Sequence, residues 1–193
     1  MKKAVLLLAM TLVSSFAFGQ IQKGDIQLGG NLRYSKTDGP GFEASVFQLT
    51  PRAALFLNDN TSIGLSLGYS STTTNQGAGD NSTDTFTFGA FARFHKNVAD
   101  RFYLFLQPDI SFGIGTQENP NFASDFDVST FNFNIVPGVL YFISDKIAME
   151  MNMGGIFYGT NKTEGNGLDQ SVDNYGLNFN LTNITIGASI YLR

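Results

Sequence analysis

Phe102-Tyr103-Leu104-Phe105-Leu106-Gln107-Pro108-Asp109-Ile110-Ser111-Phe112-Gly113-Ile114-Gly115 decides how this chain is read. Every second residue, Phe102, Leu104, Leu106, Pro108, Ile110, Phe112 and Ile114, is apolar. The intervening set begins aromatic, at Tyr103 and Phe105, and turns polar and small through Gln107, Asp109, Ser111, Gly113 and Gly115. Side chains alternate across a strand, so the stretch has one uniformly apolar face and one mixed face. An ordinary globular strand has about 5–6 residues. This one is longer, and a strand crossing the bilayer obliquely needs about 9–11.

The same period recurs along the chain. Upstream, Ile26, Leu28, Leu32 and Tyr34 alternate with Gln27, Gly29, Asn31 and Arg33. Phe47 to Leu57 alternates with a set that includes Arg52 and Phe56, and Ile63 to Tyr69 alternates with Gly64, Ser66 and Gly68. Phe86, Phe88, Ala90, Ala92 and Phe94 alternate with a set that includes Phe91 and Arg93. Downstream, Phe131 to Tyr141 opposes Asn132, Asn134, Gly138, Leu140 and Phe142. Ile147, Met149, Met151, Met153 and Phe157 oppose Ala148, Glu150, Gly154 and Tyr158. The last segment runs from Leu177 to Leu192, and its phase slips by one between Leu181 and Ile184. A β-bulge near Thr182-Asn183 is expected to absorb the extra residue. Pro51 and Pro137 cannot donate to a ladder, so bulges or lost pairings are expected there.

These segments predict eight strands. Short connections at 58–60, 96–100 and 144–145 alternate with long polar ones at 70–83, 117–127 and 160–174. Short turns at one end and long loops at the other are the pattern of an outer-membrane barrel. A soluble sandwich also alternates, but its outer face is polar. Here the outer face is nearly free of charge, and Tyr34, Tyr69, Phe94, Phe102, Phe131, Tyr141, Phe157 and Tyr191 lie near strand ends, as in interfacial girdles. The expected fold is an all-β, eight-stranded, antiparallel, up-and-down transmembrane barrel over residues 20–193.

Composition narrows the chemistry. The 193 residues include no Cys, no Trp and one His, with 15% charged residues and a formal net charge of −4. Disulfides, thiolate metal sites and a Cys nucleophile are excluded. The charge is of the wrong sign for a nucleic-acid footprint. Lys2-Lys3, the apolar run from Ala4 to Val13, and small residues at Ala17 and Gly19 read as a secretory signal over 1–19, cut before Gln20. Cleavage takes the net charge from −4 to −6 by removing both lysines.

The chain resembles the small outer-membrane β-barrels of the OmpX, OmpW and OmpA-barrel kind, often called porin-family proteins. The resemblance covers the whole chain after the signal. It rests on the signal, the strands, and two matching units, Pro51-Arg52-Ala53-Ala54-Leu55-Phe56-Leu57-Asn58-Asp59-Asn60 and Pro137-Gly138-Val139-Leu140-Tyr141-Phe142-Ile143-Ser144-Asp145-Lys146. In that family the final strand is an assembly signal with a mid-strand glycine and a terminal aromatic. Gly187 and Tyr191 match those positions, although the chain ends on Leu192-Arg193 rather than Phe. The resemblance implies a Gram-negative outer membrane, its lipids and the barrel-assembly machinery as partners.

The inner faces carry the candidate sites. Arg52, Arg93, Asp109 and Glu150 are expected to form a charge network across the lumen. Phe56, Phe91, Tyr103, Phe105, Leu140 and Phe142 are expected to plug its short-turn end, since an eight-stranded barrel fills its own interior. His95 reads as a solvated turn residue, not a catalytic base. The loop acids match no fixed metal-ligand spacing, and the loop glycines at 77–79 and 165–167 read as flexible tips. No catalytic residue, metal or cofactor is expected. The expected role is structural or interactive at the cell surface, with an extracellular ligand met by the long loops. The alternatives are a narrow porin or carrier of small or hydrophobic molecules, then a membrane-embedded lipid-modifying enzyme.

Overall fold

The computed structural model describes residues 21–75, 79–121, 125–179 and 185–192. The proposed signal over 1–19 and the bulge expected near Thr182-Asn183 lie outside the described residues.

Among the described residues, ten strands form eight staves. The first six staves are β1 (Ile26–Gly39), β2 (Phe42–Asn58), β3 (Thr61–Asn75), β4 (Asp80–Ala99), β5 (Phe102–Glu118) and β6 (Phe126–Phe142). The seventh stave is split into β7 (Ile147–Asn152) and β8 (Gly155–Gly165), and the eighth into β9 (Leu168–Asn178) and β10 (Thr185–Leu192). Sequential neighbours pair antiparallel from β1 to β7. β10 then pairs with both β7 and β1, which closes the ring. Closure removes the free sheet edges that lipid does not tolerate.

The apolar parity set faces outward. Leu65, Leu67, Phe86, Phe88, Phe112, Ile114 and Ile190 are all exposed on the outside of the wall. A soluble protein would bury such a set; a barrel gives it to lipid.

The three barrel prolines sit where the ladder lapses. β2–β3 pairing is interrupted at Thr50 and Pro51, between Leu49↔Tyr69 and Arg52↔Ser66. β4–β5 pairing is interrupted at Gln107 and Pro108. At Pro137, β6 changes partner from β7 to β8. Each interruption spares a strand the N–H that proline lacks.

Two expectations change. The phase of the seventh stave reverses at Gly154-Gly155. Gly138↔Asn152 and Ile135↔Ile156 leave one extra residue on that stave, a bulge. Ile156 and Tyr158 therefore share the outer face with Ile135 and Phe133, and Phe157 pairs with the inner-face Asn134. Phe157 is thus not a girdle residue. Both glycines have positive φ, at 74° and 155°, and a Cβ on either would collide with backbone oxygens of Asn178 or Ile135.

Two of the long connections, 70–83 and 160–174, are also largely strand rather than loop. β3 and β4 remain paired to Asn75↔Asp80, and β8 and β9 to Gly165↔Leu168. Asn166 and Gly167, at φ 51° and 80°, make the two-residue turn that suits the twist of a hairpin. The Ser-, Thr- and Asn-rich arms carry the ladder beyond the apolar belt because pairing satisfies their backbone groups.

Candidate functional site: the lumen

Parity sends Gln27, Arg52, Arg93, Gln107, Glu150 and Ser189 inward from six different strands, at similar heights. They converge on one carboxylate. Glu150 Oε2 accepts from Arg52 NH2 at 2.5 Å and Arg93 NH1 at 2.9 Å. Its Oε1 accepts from Gln27 Nε2 at 2.6 Å and from the Ser189 hydroxyl. Arg93 is turned further by Gln107, whose Oε1 accepts from Nε at 3.0 Å and NH2 at 2.6 Å. The Arg93 guanidinium also lies 4.2 Å from the centroid of the Phe105 ring. Buried charges are tolerable when paired and hydrogen-bonded in this way.

Asp109 is brought near but not into this cluster. Its carboxylate accepts from Asn134 at 2.8 Å and from Gln107 at 3.4 Å. It makes no ion pair with Arg52 or Arg93 among the described residues. Direct pairing of all four charges is therefore replaced by a triad, with Asp109 tied through Gln107. Asp109 sits too far up β5, level with Phe91 rather than Arg93.

Below the triad is a packed floor. Phe56, Tyr103, Phe105, Leu140, Phe142, Ala148 and Tyr191 form one buried cluster with Ile21, ahead of β1. Tyr103 and Phe142 meet edge to face at 5.7 Å, a favoured aromatic geometry. Phe91 is buried higher, its ring over Gly64, and the Phe105 ring occupies the space beside Gly138.

Two residues stand elsewhere than expected. His95 is buried, not solvated, because β4 continues to Ala99 and keeps it on the inner face. Its ring lies 5.1 Å from Phe56 and 6.2 Å from Phe105. Neither ring nitrogen has a hydrogen-bond partner among the described residues. Tyr191 likewise faces inward, 4.7 Å from Phe142, not into the membrane interface. Gly187 lies opposite Asn31 and Glu150, on the inner face of β10. Sequence reasoning passed over Gln27, Ser189 and Ile21. Inward parity marked the first two, and nothing marked Ile21.

Above the triad the lumen opens into a cavity of about 530 Å³. Asn31, Gln48, Asn132, Asn134, Asn152 and Asn178 give it an amide-rich wall, with Arg52 and Asp109 its charged members. At the same end the hairpins carry surface ion pairs. Lys36 meets Glu43 at 2.5 Å, and Lys162 meets Glu164 at 2.7 Å. These carboxylates raise both ammonium pKa values. Among the described residues no group of three or more His, Cys, Asp or Glu is placed to hold a metal ion.

The family described as "Outer membrane protein beta-barrel domain" matches residues 4–190. No curated protein matches. Among solved structures, Neisserial surface protein A (NspA) is similar at 15% identity and TM-score 0.48, over 86% of this chain and 95% of that one. The N-terminal β-barrel domain of Pseudomonas aeruginosa OprF is similar at 12% identity and TM-score 0.44, over 88% and 98%. The translocator domain of the autotransporter NalP from Neisseria meningitidis is similar at 15% identity and TM-score 0.51, over 90% of this chain and 66% of that one. At these identities the likeness is one of fold.

Proposed function

The chain belongs to the outer membrane protein beta-barrel domain family, and from that premise we propose that it is a sealed surface barrel, non-conducting and non-enzymatic, whose recognition is carried by its tall hairpins. Its place is the outer membrane. The observation that carries the reading is the floor. Phe56, Leu140, Phe142 and Tyr191 are at most 1% exposed, directly below a triad that ties opposite walls together. A selective pore needs an open bore. The hairpins above the belt supply what recognition needs, projecting side chains on a rigid scaffold. Against catalysis stands His95, enclosed by Phe56 and Phe105 with no hydroxyl among the described residues bonded to it. A general base must reach the proton it takes.

The test is conductance of the folded protein in a planar bilayer, with insertion verified independently. The expected record is silent. Steady single-channel openings would replace this reading with the narrow porin.

A further inference from the structure

Above the Glu150 triad, one stretch of the inner wall gathers more hydrogen-bonding capacity than the fold uses. Phe91, Asp109 and Asn134 are direct partners across β4, β5 and β6, and so form one row. The next inward row up holds Gly89, Ser111 and Asn132. These three strands are described without a break. Phe91, Asp109, Asn134, Ser111 and Asn132 all line the luminal cavity. Ser111 and Asn132 make no side-chain hydrogen bond among the described residues. We propose that this wall binds a neutral saccharide of one or two pyranose rings.

The lining selects the class of ligand. The cavity, at about 530 Å³, has the size of a small-molecule site, roughly 300–1,000 Å³. Such sites are usually lined mainly by apolar side chains. Here amides and hydroxyls dominate, so the ligand is polar. Amides and hydroxyls both donate and accept, and a carboxylate accepts strongly from O–H. The Phe91 ring adds one apolar surface at the bottom of the wall. A pyranose matches that combination, with hydroxyls around its edge and an apolar C–H face.

The charges make the ligand neutral. Asp109 faces the cavity without an ion pair, which alone would suit a cation. Gln107 answers it, since its Oε1 accepts from Arg93 and its Nε2 donates to Asp109. Two guanidiniums, of Arg52 and Arg93, thus stand against two carboxylates, of Glu150 and Asp109, and no net charge is left for an ion to neutralise. Bracing by Asn134 at 2.8 Å fixes the Asp109 carboxylate in place before any ligand arrives, which lowers the cost of ordering it on binding. The packed floor lies below, so the saccharide enters from the hairpin end. The site goes beyond the surface-barrel reading and does not depend on recognition by the hairpins.

The test is saturation-transfer NMR on the folded barrel in phosphatidylcholine nanodiscs, with empty nanodiscs as the blank. The probes are the methyl α-pyranosides of glucose, galactose and mannose, with maltose and lactose. At least one should bind with a Kd in the millimolar range or tighter. Asn132→Ala and Asp109→Asn should each weaken that binding several-fold, and Lys96→Ala, at the short-turn end, should leave it unchanged. Asn132 makes no side-chain hydrogen bond among the described residues, so Asn132→Ala tests the site without disturbing the barrel. If it fails to fold, Ser111→Ala takes its place. The sugar that binds is then compared as its free methyl glycoside and as a long-chain alkyl glycoside in the nanodisc. Preference for the first supports a diffusing saccharide, and preference for the second supports a glycolipid headgroup in the same site. No binding by any of the five probes overturns the proposal. Binding that survives both luminal substitutions means that the hairpins hold the sugar, and overturns it too. Tighter binding of tetramethylammonium than of any sugar would make the site a cation site and overturn the neutral ligand. Conductance is not read, so this site and the sealed floor stand or fall separately.

Discussion

At the residue scale the lumen depends on the charge of Glu150. Its two oxygens serve four donors from β1, β2, β4 and β10. Glu150→Gln keeps the shape but leaves two buried guanidiniums without a counter-charge. Removing one member of a buried ion pair costs about 3–5 kcal/mol. The urea midpoint, read by circular dichroism, is expected to fall. Asp109→Asn is the matched control, since that carboxylate is held by two amides and makes no ion pair with either arginine. Its cost is that of a hydrogen bond to a charged group, about 1.5–3 kcal/mol. Equal shifts for the two substitutions would show that the Glu150 charge is not what matters. Arg52, Arg93 and Glu150 were legible because strand parity and distance from the short turns give both the face and the height of a side chain. His95 and Tyr191 were misread because their faces were inferred from assumed strand ends. β4 outruns its apolar pattern to Ala99, and Tyr191 keeps the inward parity of Gly187 and Ser189.

At the element scale the informative feature is the break in the seventh stave. Gly154 and Gly155 let it gain one residue and reverse its faces between Met151 and Ile156. The sequence hid this reversal, since a glycine has no side chain to report its face. It hid the hairpin arms differently: Ser, Thr and Asn pair well in strands but carry no apolar alternation to announce one. Gly154→Ala tests the break. Its φ of 74° is in the left-handed region, where a Cβ costs about 1–2 kcal/mol, and that Cβ would also meet Asn178. The expected result is a lowered folded fraction by heat-mobility shift on a gel. Gly176→Ala is the comparison, since its neighbour is the movable Phe157 ring. If Gly154→Ala folded as well as Gly176→Ala, the bulge would not depend on glycine.

At the scale of the whole molecule, one chain presents two solvents with opposite faces. The outer belt is apolar because the inner face already holds the polar groups, and period two forces the separation. The eight-strand architecture was legible in the sequence for this reason alone. The belt makes a depth prediction that no soluble arrangement shares. Leu65 lies midway along the outward run of Ile63, Leu65, Leu67 and Tyr69, whereas Leu57 stands beside the short turn. Both are exposed on the outer face, so neither substitution disturbs packing inside the barrel. Arginine on the lipid face costs about 2–4 kcal/mol at the midplane and about 0–1 near an interface. Leu65→Arg should therefore lower the unfolding midpoint in bilayers clearly more than Leu57→Arg. In water the two would cost alike, so the difference itself measures the height of the hydrocarbon around the barrel.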